Sequence, residues 1–94
     1  MNVLAIGTLT GKDIRPHLEA EGKAVTALRE EGLVRDVFLK VDRTGPILIL
    51  NDVSAAEAAE RLAGIPFIAE DLVTFEYVEL ETIAERQQRE ATAA

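Results

Sequence analysis

Five side chains combine a reactive type with a telling position in this chain of 94 residues: His17, Glu21, Arg35, Glu76 and Tyr77. Glu21 is the most informative. Ile14, Leu18, Val25 and Leu28 recur at the three-and-four spacing of a buried helical stripe, and Glu21 falls between Leu18 and Val25 on it. A carboxylate there is costly to desolvate unless it is paired, hydrogen-bonded or protonated. Burial raises such a group toward neutrality, which suits a general acid or base. The competing reading is a side chain rotated out at the margin of the stripe. His17, the only histidine, lies one turn earlier beside Ile14 and Leu18. An imidazole is the natural proton shuttle near neutral pH, against the commoner case of a helix-edge histidine in solvent.

Arg35 shares one face of an extended segment with Val37, Leu39 and Val41, where it is suited to anchor an anionic or carbonyl group. The alternative is an edge charge in water. Glu76 shares a face with Leu72, Val78 and Leu80, and so is expected to point inward. Across an interface between two copies it suits a pair with Arg35, a structural lock rather than a catalytic group. Tyr77 is expected to pack its ring in the core and send its hydroxyl to a partner, with a pocket role as the alternative. Zinc needs three or four donors at suitable spacing, and none is visible, so no metal is expected. Gly7–Gly11 lacks the spacing and the Lys-Ser/Thr ending of a phosphate loop, and no serine-hydrolase pattern is present.

These groups need elements to hold them. Val3–Leu9 is nearly all apolar, as a strand buried on both faces would be. Asp13 is placed to cap a helix with Pro16 in its first turn and Gly32 beyond its end. Leu33–Asp42 reads as a second strand, Arg43–Pro46 as a turn and Ile47–Leu50 as a third strand, antiparallel to the second because the connection is short. Ser54 with Glu57 forms a capping box for a second helix, whose small Ala55, Ala58, Ala59 and Leu62 face can lie flat on a sheet. Ile65-Pro66-Phe67 is expected as an apolar connector and Asp71–Leu80 as the last strand, with Val73, Phe75 and Tyr77 on one face. Residues 1–80 thus form one domain. The polar, Ala-rich tail of residues 81–94 is expected to be a frayed helix, a disordered end or an arm onto a partner.

The order β-α-β-β-α-β with right-handed crossovers is that of the ferredoxin-like α+β sandwich, a four-stranded antiparallel sheet with both helices on one face. It places the two uniformly apolar strands in the centre. Their second face is then left bare, and a second copy is the simplest cover, so a symmetric homodimer is expected. A net charge of −7 argues against nucleic acid and against an anionic membrane surface. A nucleic-acid-binding sheet would also need exposed aromatics on its central strands. The chain has no cysteine, which fits a reducing cytoplasm, and it shows neither a secretory pattern nor an apolar run of membrane length.

With this order in view, the chain resembles the dimeric α/β barrel superfamily, and its muconolactone isomerase-like branch in particular. The resemblance spans about residues 1–80. It rests on Ala20-Glu21-Gly22-Lys23-Ala24, on Gly32 before a long strand, and on Leu62-Ala63-Gly64-Ile65-Pro66-Phe67 before the last strand. It implies two subunits closing a β-barrel, with a pocket between each sheet and its helices. It also implies proton transfer on an unsaturated lactone without a cofactor. Glu21 matches the helix glutamate of that pattern, while Arg35 stands where the isomerases carry a histidine. Sibling families include cofactor-free monooxygenases and haem-handling proteins. Two readings follow. In the first, a small organic molecule is transformed with Glu21 and His17 as acid–base groups and Arg35, Glu76 and Tyr77 around it. In the second, the chain is a non-catalytic dimerisation or ligand-sensing module.

Overall fold

The computed structural model describes residues 1–93. Its elements are β1 (Asn2–Leu9), a single 3₁₀ turn (Arg15–His17) leading into α1 (Leu18–Glu30), β2 (Val34–Leu39), β3 (Pro46–Leu50), α2 (Ala55–Leu62), α3 (Pro66–Ala69), β4 (Val73–Leu80) and α4 (Ile83–Ala93). The four strands form one antiparallel sheet in the order β2-β3-β1-β4. This is the ferredoxin-like α+β arrangement, with the all-apolar β1 and β3 in the centre.

The registers sort the side chains by face. Val37, Leu48, Ala5 and Tyr77 form one row across the sheet, and Val34, Leu50, Val3 and Glu79 form the next. These rows lie on the helix-covered side, where Val3, Ala5, Leu48 and Leu50 join Ala58, Leu62 and Ile65 in the main core. A smaller cluster of Phe67, Leu72 and Val73 fills the end of the sheet near Leu9 and Ile14. Gly7 is needed on this face: a Cβ there would lie 2.8 Å from Pro46 O and 3.0 Å from the Phe75 ring.

The opposite face carries Leu4, Ile6, Ile47, Ile49, Phe38, Val78 and Leu80, and among the described residues no element covers it. Phe38, Val78 and Leu80 are 52%, 39% and 38% exposed. At the far end of the β2–β3 hairpin Val41 is fully exposed.

Several boundaries differ from those expected, each for a local reason. β2 stops at Leu39 because Lys40–Gly45 folds into the turn, with Arg43 at φ 63° and Lys40 N donating to Gly45 O at 3.0 Å. β4 begins at Val73 because Asp71 sits in the left-handed region, φ 57°. The Ile65-Pro66-Phe67 connector is the start of α3, with Pro66 in its first turn, where a missing N–H costs little.

Leu18, expected on the buried stripe, is 50% exposed. The preceding 3₁₀ turn advances about 120° per residue instead of about 100°, so its three residues rotate the rest of the helix by about 60°. That turns Leu18 outward and aligns Ile14, His17, Glu21, Ala24 and Leu28, all half-buried, on the inward side.

The start of α2 is secured as the sequence suggested, but Asp13 is not the cap of the first helix: Ile14 precedes the 3₁₀ turn and His17 precedes α1, neither with a side-chain cap hydrogen bond. Asp13 Oδ1 accepts the Arg15 N–H at 3.0 Å. The Ser54–Glu57 capping box forms in both directions, and Glu79 adds a carboxylate oxygen 2.8 Å from Ala55 N. The tail residues 83–93 form α4, whose first turn carries a reciprocal Thr82–Glu85 pair of bonds. Glu81 accepts from both Arg86 and Arg89, which holds its carboxyl down to about 2. Residues 83–92 are exposed throughout, and the molecule is elongated, 52 × 27 × 20 Å. The last tail residue, Ala94, lies outside the described residues. Among the described residues no helix is long and apolar enough to cross a membrane.

Candidate functional site

Glu21 reaches from α1 to α3. Its Oε1 accepts the Phe67 N–H at 2.9 Å. Pro66 has no N–H to offer, so Phe67 supplies the first free donor of α3, and a neighbouring helix provides the acceptor. The second carboxylate oxygen has no hydrogen-bond partner among the described residues. Since no buried polar side-chain atom is left unsatisfied, that oxygen meets solvent. Burial raises the Glu21 pKa above the ordinary carboxylate value, and the Phe67 N–H opposes part of the rise. The result is a half-buried carboxyl fixed at one oxygen and open at the other, which suits a group that takes and returns a proton.

His17 occupies the same inward stripe one turn earlier, half-buried, at the junction of the 3₁₀ turn and α1. Its side chain does not cap the helix, and no hydrogen bond joins it to Glu21. Next to it, Arg15 grips Asp13 with Nε and Nη2, both at 2.9 Å, which holds the Asp13 carboxyl below its ordinary value.

Tyr77 lies on the covered face opposite Ala5. Its ring packs on the main core and beside Phe75, with ring centres 6.0 Å apart. Burial pushes the phenol up. The expected protein partner for its hydroxyl is missing among the described residues, and the oxygen reaches solvent.

Arg35 and Glu76 stand elsewhere. The alternation that placed Arg35 on the apolar face with Val37 is broken by a bulge between Val34 and Asp36. Arg35 is exposed, and its Nε donates to Asn51 Oδ1 at 2.8 Å, while Asn51 Nδ2 donates to Gly32 O at 3.0 Å. It therefore ties the start of β2 to the end of β3, beside the row of Val34, Leu50 and Val3. Glu21 contacts Phe67, which packs with Leu9 and Val73 at the other end of the sheet. Glu76 does not point into the helix-covered core. It is exposed on the uncovered face opposite Ile6, between Val78 and Thr74 of its own strand.

Glu21, His17 and Tyr77 thus lie on the helix-covered side with no hydrogen bond among them, while Arg35 stands at a sheet corner and Glu76 on the reverse face. The structure adds two residues that sequence patterning missed. Phe67 supplies the N–H to Glu21 and buries its ring in the smaller cluster, and Phe75 roofs Gly7. The Ile65-Pro66 pair carried the signal for the first, since proline favours the opening position of a helix. Among the described residues no three His, Asp or Glu side chains are grouped to hold a metal. Open clefts run along the outer flank of α1 and along α4, and these are not lined by Glu21, His17 or Tyr77.

No family model matches the chain, and no curated protein matches it in sequence. Among solved structures it is similar to 5-chloro-2-hydroxyhydroquinone dehydrochlorinase (TftG) from Burkholderia phenoliruptrix AC1100, solved in complex with 2,5-dihydroxybenzoquinone. The match has a TM-score of 0.68 at 14% identity, and covers 90% of this chain and 98% of that one. At this identity the likeness shows a shared fold.

Proposed function

We propose that this chain forms a homodimer, sheet face against sheet face, and binds and transforms a small organic molecule between α1 and the sheet. The chemistry proposed is cofactor-free proton transfer of the muconolactone isomerase-like kind, with Glu21 as the acid–base group. One observation carries this reading: a carboxyl on the inward stripe of α1, raised by burial, anchored at one oxygen and open at the other. His17, one turn away on the same stripe, would relay the proton to solvent, and the unpartnered Tyr77 hydroxyl would orient a carbonyl. Arg35 and Glu76 belong to the dimer in this reading. Arg35 would bind the anionic end of a substrate only if the partner's sheet brings that corner to the pocket, and otherwise pairs with Glu76 across the interface. TftG shares the fold and holds a quinone-type ring in its structure, which supports a small cyclic molecule as the class of ligand. A cytoplasmic location fits the absence of cysteine.

The hydrogen bond from Phe67 also favours a second reading, a non-catalytic ligand-sensing module in which Glu21 only ties α3 to α1. Incubating the protein with muconolactone in D₂O and following deuterium incorporation by NMR separates the two. Wild type should remove the proton on the ring carbon gamma to the lactone carbonyl and deliver deuterium to the alpha carbon as the double bond shifts, and Glu21→Gln should lose about 10²–10⁴-fold of that rate, the usual contribution of a positioned acid–base group. Exchange at equal rates in both proteins would remove Glu21 from the chemistry. No exchange in the wild type would favour the sensing module.

A further inference from the structure

We infer that α3 is a gate over the site, latched shut by Glu21, so that the same carboxyl that does chemistry also controls access to it. The inference rests on the reading of Glu21 given above and adds its regulation. The open clefts along α1 and α4 are not lined by Glu21, although one of its oxygens meets solvent. Water reaches the carboxyl through that open oxygen. The Phe67 ring, on the residue whose N–H meets that carboxyl, is 8% exposed and belongs to the cluster against which Ile14 of the α1 approach, Leu9 of β1 and Phe75 of β4 pack.

Phe67 belongs to the small cluster at the end of the sheet, whereas Ile65, two residues earlier, is seated in the main core. The boundary between the two clusters therefore falls inside this segment. Swinging Pro66–Glu70 outward withdraws Phe67 together with Ile68, which packs against both clusters, while Val3, Ala5, Leu48, Leu50 and Leu62 belong to elements outside the segment.

Both ends of the segment are fixed. Ile65 N donates to Leu62 O at 3.1 Å at one end. At the other, Thr10 Oγ1 donates to Asp71 O at 2.8 Å and Lys12 Nζ to Asp71 Oδ2 at 3.2 Å, with Asp71 already in the left-handed conformation of a sharp turn. Between these anchors the side-chain hydrogen bond that ties the turn to α1 is the one from Phe67 N–H to Glu21. A substrate that draws the Glu21 carboxyl to itself weakens that bond and favours the open gate, so binding and opening reinforce each other.

Native-state amide exchange on the full chain, read residue by residue by NMR, tests the gate. Across the edges of the segment Phe67 N is held by Glu21, Ala69 N by Ile65 O and Leu72 N by Phe67 O. If the segment opens as one unit, these three amides share a single opening free energy in the wild type, below that of the β1–β3 ladder. Glu21→Ala should speed all three together by about tenfold, with the ladder unchanged, and Glu21→Gln, which keeps an oxygen acceptor, should stay within about threefold of wild type. Benzene added as a probe should shift the Phe75 and Tyr77 ring signals more in Glu21→Ala than in Glu21→Gln. The gate is overturned if Phe67 alone responds, if the whole ladder speeds with it, or if benzene affects both variants equally. Should Glu21→Ala not fold, unequal opening energies among the three wild-type amides overturn it alone. Loss of proton exchange in Glu21→Gln bears on the chemistry and leaves this outcome untouched, so the two readings fail separately.

Discussion

Glu21 is pulled two ways. Taking its carboxyl out of water favours the protonated form, and the Phe67 N–H favours the ionised one, with burial the larger effect. The folded chain therefore binds a proton at Glu21 more tightly than the unfolded chain does. The stability this contributes is fully present below the ordinary carboxylate range, about 4.3, and is lost as pH rises through the raised value in the fold. Glu21→Gln has no charge to desolvate. Its thermal midpoint should match or exceed that of wild type by an amount that grows from about pH 4 to pH 7, followed by circular dichroism; a difference that does not change with pH would return Glu21 to an ordinary solvated side chain. The position of this residue was legible in the sequence because one polar residue interrupted an apolar period. Its partner was not, because Phe67 lies far along the chain and only the packing of α3 on α1 brings its N–H within reach. Arg35 misled for a related reason: a bulge adds a residue to the strand and breaks the period of two on which its facing was read.

At the scale of elements, strand composition was the strongest signal. The two strands without polar alternation are the two central ones, and Ser54 with Glu57 starts α2 where the capping box said it would. The 3₁₀ entry to α1 was invisible, since no local residue choice dictates three rather than 3.6 residues per turn there, and Leu18 was misplaced in consequence. Two glycines of β1 and α1 make opposite demands. At Gly7 a methyl group would meet Pro46 O at 2.8 Å and Phe75 Cε1 at 3.0 Å, whereas at Gly22 it meets nothing within 4 Å. Gly7→Ala should cost about 1–3 kcal/mol and lower the urea midpoint, and Gly22→Ala, on the exposed side of a helix, should gain about 0.4–1 kcal/mol. If both substitutions shift the midpoint alike, the close approach of β1 to the Pro46 turn and the Phe75 ring is wrong.

For the whole molecule the decisive surface is the bare side of the sheet, where Leu4, Ile6, Ile47, Ile49, Phe38, Val78 and Leu80 lie together. Each chain carries a net charge of −7, so two copies repel at long range while their apolar faces attract at contact. Association should therefore tighten as salt is raised from about 0.02 to about 0.2 M, since screening weakens only the repulsion. Sedimentation at micromolar concentration should find a two-chain species that Val78→Lys abolishes; single chains at every salt concentration would remove the dimer. The bulge at Arg35 has a further consequence. β2 and β4 are the two rims of the sheet, and an unbroken rim can recruit strand after strand from other molecules. The extra residue kinks one rim and is pinned there by Asn51, while glutamates stud the other. Strand pairing at both borders is thereby discouraged, which leaves the bare apolar plane as the surface for the proposed dimer.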